Sequence, residues 1–172
     1  MKRFAALAIL TALTALGPAC SNQNSVTYKD NVERALQQAD LKDVTVAEDR
    51  EKNTITLGGT LHSDEAKSRA ADIAKSAATT RIIANEISVQ PVGAESEAKD
   101  AAAAWDDGIE KNYKAALITS RLNKQHISYT AKNGVLTLTG KVKTPGERQQ
   151  AQQLAAAIPH VQQVLNQIDV RR

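Results

Sequence analysis

The side chains able to do chemistry are few. The chain of 172 residues carries three histidines, His62, His126 and His160, and a single cysteine, Cys20. A metal site needs several ligands at short or convergent spacing. Only Asp64 and Glu65 stand near His62, and they suit the first turn of a helix better than an ion. One cysteine excludes an internal disulfide framework and a CxxC knuckle. No GxSxG elbow, phosphate-cradling loop or dinucleotide fingerprint occurs. The inventory points away from an enzyme, and no metal or other cofactor is expected.

What remains is charge, and its distribution is uneven. Residues 26–92 hold nine basic and eleven acidic side chains, and residues 93–108 hold one and five. Residues 109–172 hold ten basic side chains against Glu110, Glu147 and Asp169 alone. Within that last segment Lys111, Lys114, Ile118 and Arg121 recur at i, i+3, i+7 and i+10, which is one side of a helix. Cations framing an exposed isoleucine combine headgroup attraction with shallow insertion, the chemistry of an interfacial helix. Each basic residue near an anionic bilayer contributes on the order of 1 kcal/mol. Lys141 and Lys143 are expected to extend the patch from a neighbouring strand. The competing reading is a solvated helix face that happens to be basic. Nucleic acid is not an expected partner, because the chain is read as exported and lacks aromatic platforms for bases.

The lone tryptophan, Trp105, sits in AAAAWDDG ahead of Gly108. If a helix runs through Gly108, Trp105 shares the phase of Ile109 and packs under the core edge, which is the preferred expectation. If Gly108 breaks the helix, the ring is free to anchor at a membrane interface, and Trp105 joins the lipid-binding set.

Cys20 supplies the other chemistry. Lys2 and Arg3 precede a thirteen-residue apolar run, Phe4 to Leu16. That run is too short to span about 30 Å of hydrocarbon but suits an export signal. A cysteine directly behind it resembles the acylation site of bacterial lipoproteins, which implies a signal peptide over residues 1–20. Ser21 after the cysteine then implies the outer membrane, on its periplasmic face. The alternative is a plain secreted chain in which Cys20 is incidental. Residues 21–27 read as a polar tether.

These groups must be positioned by a fold, and the fold is written twice. Shifted by 81 residues without a gap, Leu41 falls on Leu122, Thr56-Leu57 on Thr137-Leu138, Gly59 on Gly140, Asn85 on Asn166 and Ile87 on Ile168. Two copies of one small unit are therefore expected. In the second, Ile109 to Leu122 has helical spacing, His126 to Ala131 and Val135 to Lys143 alternate, and Asn133-Gly134 between them is a type I′ hairpin signal. Thr144-Pro145-Gly146-Glu147 is a capping box opening a helix stopped by Pro159, and Val164 to Val170 closes the unit as a strand. The first copy repeats this order, with Ser63 as its second helix's cap. The repeated TLxG phrase is the second hairpin strand, its glycine expected to let a helix approach the sheet. Asn85 and Asn166 are expected to complete backbone hydrogen bonds.

The α-β-β-α-β order, NGVLTLTGKV, the A-x-x-L-A helix and the closing VLNQIDV resemble the BON domain, over roughly residues 28–172. The first copy departs from that pattern at NTITLGG and at ATTRII. The resemblance implies an α+β fold of two tandem BON domains, each a small three-stranded mixed sheet covered by two helices. It places BON domain 1 at 28–92, a helical acidic linker at 93–107 and BON domain 2 at 108–172. It also implies a dual-BON outer-membrane lipoprotein that binds anionic phospholipid surfaces and supports envelope integrity, without catalysis. Other envelope proteins are candidate partners through the first domain. The competing implication is a soluble periplasmic osmotic-stress or chaperone-like protein.

Overall fold

The computed structural model describes residues 27–171. Helix α1 (Tyr28–Gln38) opens on a closed capping box: Thr27 Oγ1 accepts from Asp30 N at 3.1 Å while Asp30 Oδ2 accepts from Thr27 N at 3.0 Å. It closes through a left-handed residue, Asp40 at φ 60, behind which Leu41 N donates to Leu36 O at 2.9 Å. That bond satisfies a carbonyl the helix leaves orphaned and brings Leu41 onto Leu36 in the core. Strands β1 (Val44–Asp49) and β2 (Thr54–Leu61) pair antiparallel. Helix α2 (Asp64–Ala77) follows, its Ser63 cap accepting from Ala66 N at 3.2 Å. The third strand is broken into β3 (Ile82–Asn85) and β4 (Ser88–Val89), both parallel to β2.

The second repeat has the same order. Helix α3 (Glu95–Thr119) leads through a short 3-10 turn, Leu122–Lys124, to β5 (His126–Lys132), β6 (Val135–Val142), α4 (Pro145–Ala156) and β7 (Gln163–Val170). Strand β6 is central, antiparallel to β5 and parallel to β7. Asn133 and Gly134 turn the hairpin at φ 48 and 81, and the capping box at Thr144 and Glu147 forms with Pro145 at the helix start. Each repeat is thus a mixed α+β layer pair with its own core. Val32, Leu36, Ile55 and Leu57 fill one; Ile109, Tyr113, Leu136 and Leu138 fill the other. Tyr113, the largest fully buried side chain, donates its hydroxyl to Ala151 O at 3.2 Å and so ties α3 to α4.

The paired asparagines behave as expected. Asn85 Nδ2 donates to Lys67 O at 3.1 Å, and Asn166 Nδ2 donates to Arg148 O at 3.2 Å. Lys67 and Arg148 are themselves 81 residues apart, so each third strand is stitched to the same turn of the preceding helix.

Two expectations need correction. The repeated glycines do not make room for a helix. Gly59 and Gly140 hold φ of +99 and +106, and a Cβ there would lie 2.1 Å from Asp43 O and 2.0 Å from His126 O. The crowding partner is the backbone leading into the neighbouring strand, and the left-handed φ alone favours glycine. The second concerns Trp105: Gly108 leaves the helix unbroken, as the preferred expectation has it, but the ring does not follow. The acidic segment and the second repeat's first helix are one continuous α3, yet Trp105 is not packed under the core edge and stays 56% exposed. Asp106 already caps the β5–β6 turn, so the helix has run past the end of the sheet at this point.

Candidate functional site

Helix α3 buries Ile109, Tyr113 and Leu117, which turns Lys111, Lys114 and Ile118 to solvent, and Arg121 beyond the helix end is exposed as well. Ile118 is 54% exposed amid these cations. Lys111 pairs with Asp107 one turn earlier. Lys114 and Arg121 form no salt bridge among the described residues. Arg121 occupies a left-handed position, φ 59, just past the helix end, where a cation also complements the exposed carbonyls.

The hairpin lysines do not share this surface. Leu136, Leu138 and Val142 point into the core beneath the helices, so by strand alternation Lys141 points to the opposite face of the sheet. There it stands beside Asp169 and Arg171. Lys143, exposed past the strand end, anchors the next helix through its backbone N–H to Glu147 Oε2 at 2.8 Å. Cys20 lies outside the described residues.

Superposing the repeats by their 81-residue offset exposes a relation that the wheel of one helix misses. Lys111, Lys114, Ile118 and Arg121 correspond to Asp30, Glu33, Gln37 and Asp40. Each cation of one face is a carboxylate on the other, and the exposed isoleucine is a glutamine. These carboxylates are engaged locally: Asp30 in its capping box, Glu33 with Lys29 at 3.6 Å and Asp40 with Lys42 at 3.0 Å. Reading the offset position by position, for charge as well as apolarity, reveals this inversion from sequence alone.

A second concave feature lies between the repeats. Trp105 stacks on His160, centroids 5.5 Å apart and planes 3° from parallel. Both rings border a cleft of about 390 Å³. Beneath it Asp106 accepts from Asn133 N at 2.7 Å and Gly134 N at 3.0 Å. Lys67 donates to Asn133 O and Gln162 Oε1, both at 3.4 Å. Burial pulls the half-buried Lys67 ammonium below the usual lysine range.

The repeats are held together by polar contacts around a small apolar patch, Ala84, Val135 and Leu165. Gln163 acts as a surrogate strand, its Nε2 donating to Ile83 O at 2.7 Å and its Oε1 accepting from Asn85 N at 3.3 Å. Lys132 pairs with Glu86 at 2.9 Å across the same junction.

No group of three or more metal-ligating side chains occurs among the described residues, and none of their helices is long and apolar enough to cross a membrane. The class so defined is a duplicated α-β-β-α-β module whose distinguishing surface is the basic patch at the C-terminal end of α3. The chain belongs to the BON domain family, whose model matches residues 26–91 and again 106–172. BON domains occur in envelope and periplasmic proteins, bind phospholipids and are generally non-catalytic. No curated protein matches the sequence. Among solved structures, the chain is similar to the C-terminal domain of CdsD, a structural protein of the type III secretion system of Chlamydia trachomatis. Identity is 11% and the TM-score 0.36, covering 88% of this chain and 100% of that one. A second CdsD structure from the same organism gives 12% identity and a TM-score of 0.36, covering 82% and 90%.

Proposed function

We propose that this protein is a non-enzymatic envelope lipoprotein, held by acyl chains on Cys20 at the periplasmic face of the outer membrane. Its second BON domain docks on anionic phospholipid through the α3 face formed by Lys111, Lys114, Ile118 and Arg121. In this reading it supports outer-membrane integrity, and the first domain is left to engage an envelope protein. The observation that carries the reading is the inversion between repeats. On one scaffold, the same helix positions carry cations around an apolar residue in one copy and carboxylates around a glutamine in the other. Of the four pairs only Asp30 has a capping duty, and none of these side chains belongs to either core, so the cations of the second set answer another demand.

Co-sedimentation of the mature chain, residues 20–172 without acyl groups, with liposomes tests this. Binding should rise with phosphatidylglycerol content and fall with salt, since exposed charges are screened over about 10 Å at 0.1 M. The triple reversal K111E/K114E/R121E should abolish binding with the thermal melt unchanged. Equal binding to neutral vesicles, or full binding by the reversal, overturns the assignment. Mass spectrometry of the native N-terminus tests the anchor separately: triacylated Cys20 is expected, and cleavage without lipid makes this a soluble periplasmic protein.

A further inference from the structure

The interdomain cleft shares no residue with the cationic face of α3, and its chemistry is different. Its walls are apolar: Ile87, Val89 and Pro91 from the first repeat face Ala98, Ala101 and Ala102 of α3. The Trp105–His160 stack borders it, and Lys67 reaches it from the first turn of α2. A volume of about 390 Å³ falls within the roughly 300–1,000 Å³ of small-molecule pockets.

Lys67 is the ammonium group that lines the cleft. Its ammonium has three donors but makes two hydrogen bonds, both at 3.4 Å, to neutral oxygens. It forms no salt bridge among the described residues. The carboxylates that line the cleft, Asp64 and Asp106, attract it through space but do not bond it. Both Asp106 oxygens accept backbone N–H groups. Asp64 is exposed in the first turn of α2, where the helix dipole already favours it. A half-buried cation that no carboxylate bonds directly, at the border of a slot with an apolar wall, complements an anion that carries an alkyl chain. A free inorganic anion leaves the alanine and valine wall unused, and an uncharged chain leaves Lys67 unpaired.

We propose that the cleft binds a single-chain amphiphile with one anionic head, its carboxylate or phosphate on Lys67 and its chain along Ala98, Ala101 and Ala102 toward Trp105. Trp105 is the only tryptophan, so its emission reports occupancy directly. The mature chain is titrated with laurate, dodecyl phosphate, dodecanol and acetate, each below its micellar concentration, by fluorescence and calorimetry. Laurate or dodecyl phosphate should saturate at one per chain and shift the emission. The tighter of the two identifies the head. Dodecanol should bind at least tenfold more weakly, and acetate should leave the emission unchanged. Lys67→Met should weaken the anionic ligand at least tenfold. Ala102→Phe, which fills the slot and leaves Lys67 in place, should abolish binding. Both variants should sediment with phosphatidylglycerol vesicles as the parent does, so this site and the α3 face stand or fall separately. The proposal is overturned if neither anionic amphiphile gives a saturable signal, if dodecanol binds equally well, or if both variants bind like the parent.

Discussion

If the α3 face binds lipid because of its charges and not its repeat, that face can be moved. The recipient is α1, whose positions Glu33, Gln37 and Asp40 correspond to Lys114, Ile118 and Arg121. Asp30 is left in place because it closes the capping box with Thr27. The variant E33K/Q37I/D40R is built on the K111E/K114E/R121E background, which should not bind. The scaffold tolerates the change: Arg121 already occupies the left-handed position that Asp40 holds, at φ 59 against 60. The Lys29–Glu33 and Lys42–Asp40 contacts it removes span 3.6 and 3.0 Å in solvent, and such exposed pairs contribute about 0.2–1 kcal/mol each. Two new cations near an anionic surface contribute about 1 kcal/mol each. At about 1.4 kcal/mol per tenfold, binding should recover roughly thirtyfold over the background, before any gain from the new isoleucine. Liposome co-sedimentation at low salt, with and without phosphatidylglycerol, measures it. A variant that melts like the parent yet stays unbound refutes the reasoning, because charge on an equivalent helix face would then be insufficient.

Three further outcomes test the scaffold. Gly108 sits inside α3 with nothing within 4 Å of where a Cβ would go, so Gly108→Ala should stabilise by about 0.5–1 kcal/mol and raise the melting temperature by about 1–4 °C. Gly140→Ala should destabilise by at least about 2 kcal/mol in urea melts, since it combines a left-handed φ with a Cβ 2.0 Å from His126 O. Tyr113→Phe should cost about 1 kcal/mol at pH 7 by deleting the buried bond to Ala151 O. Burial raises the Tyr113 phenol above its ordinary value of 10.0, so the folded state holds that proton more tightly. Its contribution is therefore complete below pH 10 and lost as pH rises further. Phenylalanine does not titrate, and the gap between parent and variant should shrink between pH 7 and pH 11.

The elements were legible because their signals are local. Asn133-Gly134, the Thr144-Pro145-Glu147 box and the Ser63 cap each act within a few residues, and each forms as read. The glycine of TLxG shows where local reading stops. Its place in the strand was legible, but what crowds it comes from the strand paired to it, and a single strand does not reveal that. Trp105 fails for a related reason. It shares the face of Ile109, as helical phase requires, but phase says nothing of where the sheet beneath the helix ends.

The junction between the repeats was the part least visible, and its chemistry explains why. Alternation assigns one face of each strand to a core and the other to water, which is correct for an isolated unit. Here Val135 and Leu165 occupy the second face and are buried against Ala84 of the other repeat. Two apolar residues at nominally solvent positions are a weak signal, because scattered exposed apolar side chains are ordinary. The rest of the junction is made by polar and charged residues such as Gln163, Asn133, Lys132 and Glu86, the types that a sequence reading leaves on the surface. Gln163 is the clearest case: its amide serves the free edge of β3 as a peptide group would. A polar junction of this kind positions without needing a large apolar patch. It encloses a cleft beneath α3 with walls from both repeats, which neither copy forms alone. The duplication therefore does more than double a surface. It lets the copies differ in charge while the two together enclose a cleft that the single unit lacks.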